Sequence, residues 1–79
     1  MFTVYALYSK DYDKIYIGYT SDLESRLKSH NQLANKGWTV KYRPWELVYM
    51  EEYSDKLSAM KREKELKSYQ GRRFIRSLI

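Results

Sequence analysis

The sequence predicts a small α/β protein of the α+β kind, with elements in the order β-β-α-β-α-α. Three observations predict it. Two β-branched and aromatic runs, F-T-V-Y-A-L-Y from Phe2 to Tyr8 and K-I-Y-I-G-Y-T from Lys14 to Thr20, flank a polar S-K-D-Y-D segment, the pattern of a hairpin. Ser21-Asp22-Leu23-Glu24 follows at once and reads as a capping box, with Ser21 as N-cap and Glu24 reaching back. Farther on, S-D-K-L-S-A-M-K-R-E-K-E-L-K-S-Y-Q keeps a helical period until Gly71, a natural terminator.

If Ser9 pairs opposite Lys14, Tyr5 stands opposite Gly18 and Leu7 opposite Tyr16. Alternation then puts Tyr5 and Tyr16 on one face as diagonal neighbours. A one-residue slip separates them. Gly18 beside Tyr5 leaves space over the sheet for a backbone or ligand. In the first helix Leu23, Leu27 and His30 recur at helical spacing, with Leu33 extending the stripe. Arg26 and His30, four apart, share one face. The helix is expected to end between His30 and Gly37, where Asn31 and Asn35 also favour termination.

Residues 35–44 form a basic, aromatic connection, with Lys36, Lys41 and Arg43 as charges and Trp38 and Tyr42 as flat surfaces. A third strand is expected from Trp45 to Tyr53, with Leu47, Tyr49 and Glu51 on one face and Val48, Met50 and Glu52 on the other. Ser54 or Asp55 caps the next helix. On its wheel Ala59, Met60, Glu63 and Leu66 fall in one arc, and Glu65 points away. A carboxylate among core-facing residues is costly unless paired, protonated or bound to metal. The tail R-R-F-I-R-S-L-I reads as a short basic helix docking Phe74, Ile75, Leu78 and Ile79 on the sheet.

Seventy-nine residues are expected to form one domain, 1–79, with a thin core. Nine tyrosines dominate an aromatic content of 16%. The net charge of +5, from 15 Lys and Arg against 10 Asp and Glu, favours acidic partners, nucleic acid first and anionic membrane second. Absence of cysteine removes disulfides and thiolate metal sites. Met-Phe-Thr-Val runs straight into strand, so no signal peptide is expected, and no apolar run is long enough to span a membrane. A soluble, cytoplasmic protein without a membrane partner is the expectation.

Tyr5, Tyr16, Arg26, His30 and Glu63 form a chemical inventory. Hydrolysis of a phosphodiester needs a base for water, a cation for developing charge and usually a metal at the leaving oxygen. Arginine's planar fork matches phosphate oxygens, and a lone carboxylate with waters suits Mg²⁺. Either a tyrosine or His30 could relay the proton, a tyrosine only with its pKa lowered by a cation. Plainer readings stand beside these: hairpin packing for the tyrosines, a solvated edge for Arg26, a helix C-cap for His30, and pairing of Glu63 with Lys67 or Arg62.

V-Y-A-L at 4–7, Y-I-G at 16–18 and T-S-D-L-E-S-R-L-K-S-H-N at 20–31 resemble the GIY-YIG nuclease superfamily. R-P-W-E-L-V-Y at 43–49 and A-M-K-R-E-K-E-L-K at 59–67 are similar to its compact, single-domain bacterial members, so the likeness spans nearly the whole chain. The resemblance implies a three-stranded antiparallel sheet flanked by helices and one divalent ion, Mg²⁺ or Mn²⁺, at Glu63. It implies Arg26 as catalytic arginine, Tyr5 and Tyr16 as the signature tyrosines with Tyr5 favoured as general base, and His30 as an assisting residue. The expected partner is DNA, branched or single-stranded, with Lys28, Lys41 and Arg43 on phosphates and Trp38 on an exposed base; a protein partner or homodimer is a further expectation. A binding module with little cleavage, part of a repair or recombination assembly, is the competing reading. Two departures stand out: Thr3-Val4-Tyr5 replaces Gly-Ile-Tyr, and no C-terminal asparagine matches the one some members carry.

Overall fold

β1 (Phe2–Ser9) and β2 (Lys14–Thr20) pair antiparallel with Ser9 opposite Lys14, Leu7 opposite Tyr16 and Tyr5 opposite Gly18. This is the register that alternation predicts. The structure, a computed structural model, describes residues 1–33 and 38–79, and of these all side chains except those of Gln32, Leu33 and Trp38. In the four-residue hairpin loop Asp13 adopts a φ of 52°, a left-handed conformation that aspartate tolerates better than most residues. Its carboxylate accepts from the Tyr8 hydroxyl and from Arg76, both at 2.9 Å.

β3 (Glu46–Tyr53) pairs antiparallel with the other side of β1, giving the sheet order β2-β1-β3. Ala6 faces Tyr49 while Leu7 faces Leu47, so Val48 is an extra residue in a bulge. The expectation that Leu47 shares a face with Tyr49 therefore fails. The bulge turns both Val48 and Tyr49 toward the apolar core and leaves Leu47 exposed.

One sheet face, Val4, Ala6, Ile15 and Ile17, packs on Ala59, Leu66 and Ile75 of α2 (Lys56–Lys67) and α3 (Tyr69–Arg76). Asp55 caps α2 by accepting the Ser58 N–H at 2.8 Å. The opposite face carries Tyr5 and Leu7 against Trp45, with Tyr16, Tyr42 and the Leu23 and Leu27 of α1 (Leu23–Lys28) packed around them.

Four local expectations are corrected. The cap of α1 is Asp22, not Ser21: Thr20 Oγ1 accepts the Asp22 N–H at 3.1 Å, which turns the strand end past Ser21 and leaves Asp22 Oδ1 to accept from Ser25. The long helix breaks at Ser68 rather than at Gly71. Ser68 is extended and its Oγ accepts the Gly71 N–H at 3.2 Å, which starts α3. Gly71 is needed for a close crossing, because a Cβ there would lie 2.4 Å from the Leu66 Cα. Met60 is exposed, since it lies about 100° round the helix from Ala59, off the narrow buried arc of Ala59 and Leu66. Of the tail only Ile75 is buried, Phe74 sets its edge on Tyr49 at 5.2 Å, and Leu78 and Ile79 remain about half exposed beyond the end of α3.

Candidate active site

The central strand sets the site's floor. Tyr5 is 1% exposed, and its ring lies over Gly18, where an added Cβ would come 2.8 Å from the Tyr5 hydroxyl oxygen. The space expected above Gly18 is thus filled by Tyr5 itself. Glycine is required there so that the phenol can lie flat across the neighbouring strand.

α1 continues through Ser29–Leu33 as a π-helical turn. That wider turn carries His30 inward, to 6% exposure. Its Nε2 lies 3.1 Å from Tyr5 Oη, a bond in which the phenol donates when the imidazole is neutral with its proton on Nδ1. The Tyr16 ring lies 4.7 Å from His30 and 6.1 Å from Tyr5. Tyr5, Tyr16 and His30 are therefore one constellation, and the C-cap of α1 is Ser29 in place of His30.

The turn is held by two residues for which the sequence suggested other roles. Asn31 forms a two-point clamp on Trp45, donating to its carbonyl at 3.0 Å and accepting its N–H at 2.7 Å. Arg43 Nε donates to the His30 carbonyl at 2.6 Å and Nη2 to that of Ser29 at 3.3 Å. These carbonyls at the end of α1 need donors, so Arg43 has a structural role beside the phosphate contact expected of it. Asn31 reads in sequence as a helix stop, and only the Pro44-Trp45 step after Arg43 hints at a structural anchor.

Electrostatics separate the members. Burial, then the neighbouring Tyr16, pushes the Tyr5 pKa up; Arg26 opposes this, while a hydrogen bond with Tyr16 and the charge of Glu63 add to it. Burial, then Arg26 and Arg43, holds His30 below its ordinary 6.5, so it is neutral near pH 7. Arg26 is exposed on α1 yet acts on both groups. Glu63 stands on α2, which packs on the opposite, aliphatic face of the sheet, and its charge is the smallest of the influences on Tyr5. Its side chain is 21% exposed and lies 3.5 Å from Lys67, so the plain pairing is present. Arg62 instead turns to Glu51 at 3.0 Å and to Glu65 at 3.5 Å. Glu51 also accepts from the Tyr49 and Tyr53 hydroxyls. Although burial opposes it, these donors hold the Glu51 carboxyl below its ordinary value.

Lys28 and Lys41 are exposed, as phosphate contacts require. The Trp38 side chain, with residues 34–37 and so Lys36, lies outside the described residues. Among the described residues no group of three or more His, Cys, Asp or Glu could hold a metal. Glu63, partly exposed and 3.5 Å from Lys67, is the expected metal ligand, and a single carboxylate leaves an ion such as Mg²⁺ to keep most of its water. No helix among the described residues is long and apolar enough to cross a membrane.

Comparison with known proteins identifies the family and agrees with the fold. The GIY-YIG catalytic domain family matches residues 1–74. The UPF0213 protein SH2523 of Staphylococcus haemolyticus is 41% identical over 66 residues, 84% of this chain and 79% of that protein. A UPF0213 protein of Staphylococcus aureus is 39% identical over 62 residues, 78% and 76% of the two chains. The solution NMR structure of the UPF0213 protein BH0048 from Bacillus halodurans superposes with a TM-score of 0.57 at 33% identity, covering 99% of this chain and 85% of that one. The chain belongs to the GIY-YIG family, and its fold is that of a nuclease-type catalytic domain.

Proposed function

We propose that the protein is a metal-dependent endonuclease that hydrolyses DNA phosphodiester bonds, acting in the cytoplasm. The observation that carries this reading is the buried Tyr5–His30 hydrogen bond of 3.1 Å, flanked by Tyr16 and within the field of Arg26 and Glu63. Tyr5 alone is a poor base, since burial disfavours its phenolate. Paired with a neutral His30 it need not become one. The attacking water gives its proton to Tyr5 Oη while the Tyr5 proton passes to His30 Nε2. The imidazolium, disfavoured by burial and two arginines, then releases the proton readily. Tyr16 orients the water or a phosphate oxygen, and Arg26 stabilises the charge that develops on the phosphoryl oxygens. Glu63 would hold one Mg²⁺ or Mn²⁺, which when bound neutralises charge at the leaving oxygen.

The test is cleavage of supercoiled plasmid, single strands and branched duplexes with Mg²⁺ or Mn²⁺, with Glu63→Ala and Tyr5→Phe beside the wild type. Loss of about 10²- to 10⁴-fold in Tyr5→Phe is expected, with metal-dependent nicking abolished in Glu63→Ala. Equal activity in wild type and Glu63→Ala points to a contaminant and sinks the reading. One observation favours the competing binding module: Lys67 already neutralises Glu63. That reading predicts DNA binding indifferent to Mg²⁺ and to Glu63→Gln, with no cleavage.

A further inference from the structure

The site face extends past the catalytic constellation to the hairpin tip. Tyr12, in the loop, is 51% exposed. Its ring meets that of Tyr42 edge to face, with centroids 5.3 Å apart and planes at 73°. Lys14 Nζ lies 5.6 Å from the Tyr42 centroid. Tyr42 packs in turn on the Tyr5, Leu7 and Trp45 cluster, and the Trp45 ring is 6.3 Å from Tyr16. Aromatic surface therefore runs from the buried site outward to an open ring, with a cation beside it. From Tyr5 to the end of β1 at Ser9 the distance is roughly 13 Å at the rise of an extended strand.

We propose that Tyr12, Tyr42 and Lys14 form a stacking platform for an unpaired nucleobase of a DNA strand that leads into the Tyr5 site. The identity of the ligand rests on the function proposed above; the platform itself rests on the geometry. An exposed tyrosine backed by a second ring offers a flat, preorganised surface, and every base has a π-face to lay on it. Lys14 neutralises the adjoining phosphate, with exposed Lys10 four residues before it and exposed Lys41 next to Tyr42 in the chain. In an intact duplex the bases are already stacked and paired, so the platform selects single strands, flaps or splayed ends.

Binding without metal tests this independently of cleavage. Fluorescence anisotropy in EDTA compares a single-stranded oligonucleotide, the same strand with abasic positions, and a blunt duplex, for wild type, Tyr12→Ala, Tyr12→Phe and Lys14→Gln. Tyr12→Ala is expected to weaken single-strand binding about 5- to 100-fold, leaving the abasic strand and the blunt duplex unchanged. Tyr12→Phe keeps the ring and binds as wild type. Lys14→Gln lowers the slope of log K against log salt by roughly 0.7 on single strands. Equal binding by Tyr12→Ala and wild type overturns the platform, and so does an equal loss on base-bearing and abasic strands. Retained stacking with no cleavage in any metal keeps the platform and sinks the nuclease reading; cleavage indifferent to Tyr12 does the reverse.

Discussion

The two faces of the sheet are built from the same strands for different ends. Under α2 and α3 lie Val4, Ala6, Ile15 and Ile17, closed by Ala59, Leu66 and Ile75 with no polar side chain among them. Under α1 lie Tyr5, Leu7 and Trp45, with Tyr16 and His30 bringing a hydroxyl and an imidazole. In so small a protein the first face supplies stability and the second tolerates polar chemistry, because its buried Tyr5 and His30 are matched to each other. Alternation along β1 makes both possible within eight residues.

Matched substitutions on the two faces test that division. Leu66→Ala is expected to lower stability by about 2–5 kcal/mol, read from the urea midpoint, whereas Tyr5→Phe removes one hydrogen bond worth about 1 kcal/mol while sharply reducing cleavage. Equal losses of stability from the two would break the comparison. Next in size is Arg62→Met, which leaves the Glu51 carboxylate to two tyrosines. A loss of about 1–3 kcal/mol is expected, and Glu51→Gln combined with Arg62→Met should recover part of it in a double-mutant cycle.

The pH dependence separates the faces further. His30 is held below 6.5 by burial and by Arg26 and Arg43. The unfolded chain therefore binds the extra proton first, and His30's contribution is complete above pH about 6.5 and is lost as pH falls through its depressed folded value. His30→Gln should flatten that part of the stability profile, and an unchanged profile would place the titration elsewhere. The smallest effect is expected at Ser9, whose buried Oγ has no hydrogen-bond partner. Ser9→Ala should be neutral or stabilising by up to about 1 kcal/mol, seen as an equal or raised Tm.

Sequence revealed what short-range rules govern. A strict period of two and a short polar loop sufficed for the hairpin register, and hence for Tyr5 and Tyr16 on one face. Asp55 was among the two caps that Ser54-Asp55 offered, but at Ser21-Asp22 the strand-end hydroxyl of Thr20 decided against the expected residue. What stayed hidden depends on tertiary approach. Gly71 looks like a terminator until α3 crosses the backbone of Leu66. The Arg62–Glu51 pair joins residues 11 apart on different elements, and the Asn31–Trp45 clamp spans 14. No local spacing announces either. His30 was legible as a candidate, but its burial came from the π-helical turn, which a 3.6-residue wheel cannot represent.

β1 is bordered by a strand on each side, and that has a consequence for how such a protein can diversify. Insertion of one residue within it would exchange its faces, sending Tyr5 among the aliphatics and Val4 toward His30. Core and chemistry are thus written in a single reading frame. Length variation is confined to the loops, and the hairpin tip that carries Tyr12 can lengthen or shorten while the frame of Phe2–Ser9 stays fixed. Descendants of this fold are free to change what the active site meets first, and constrained to keep how it works.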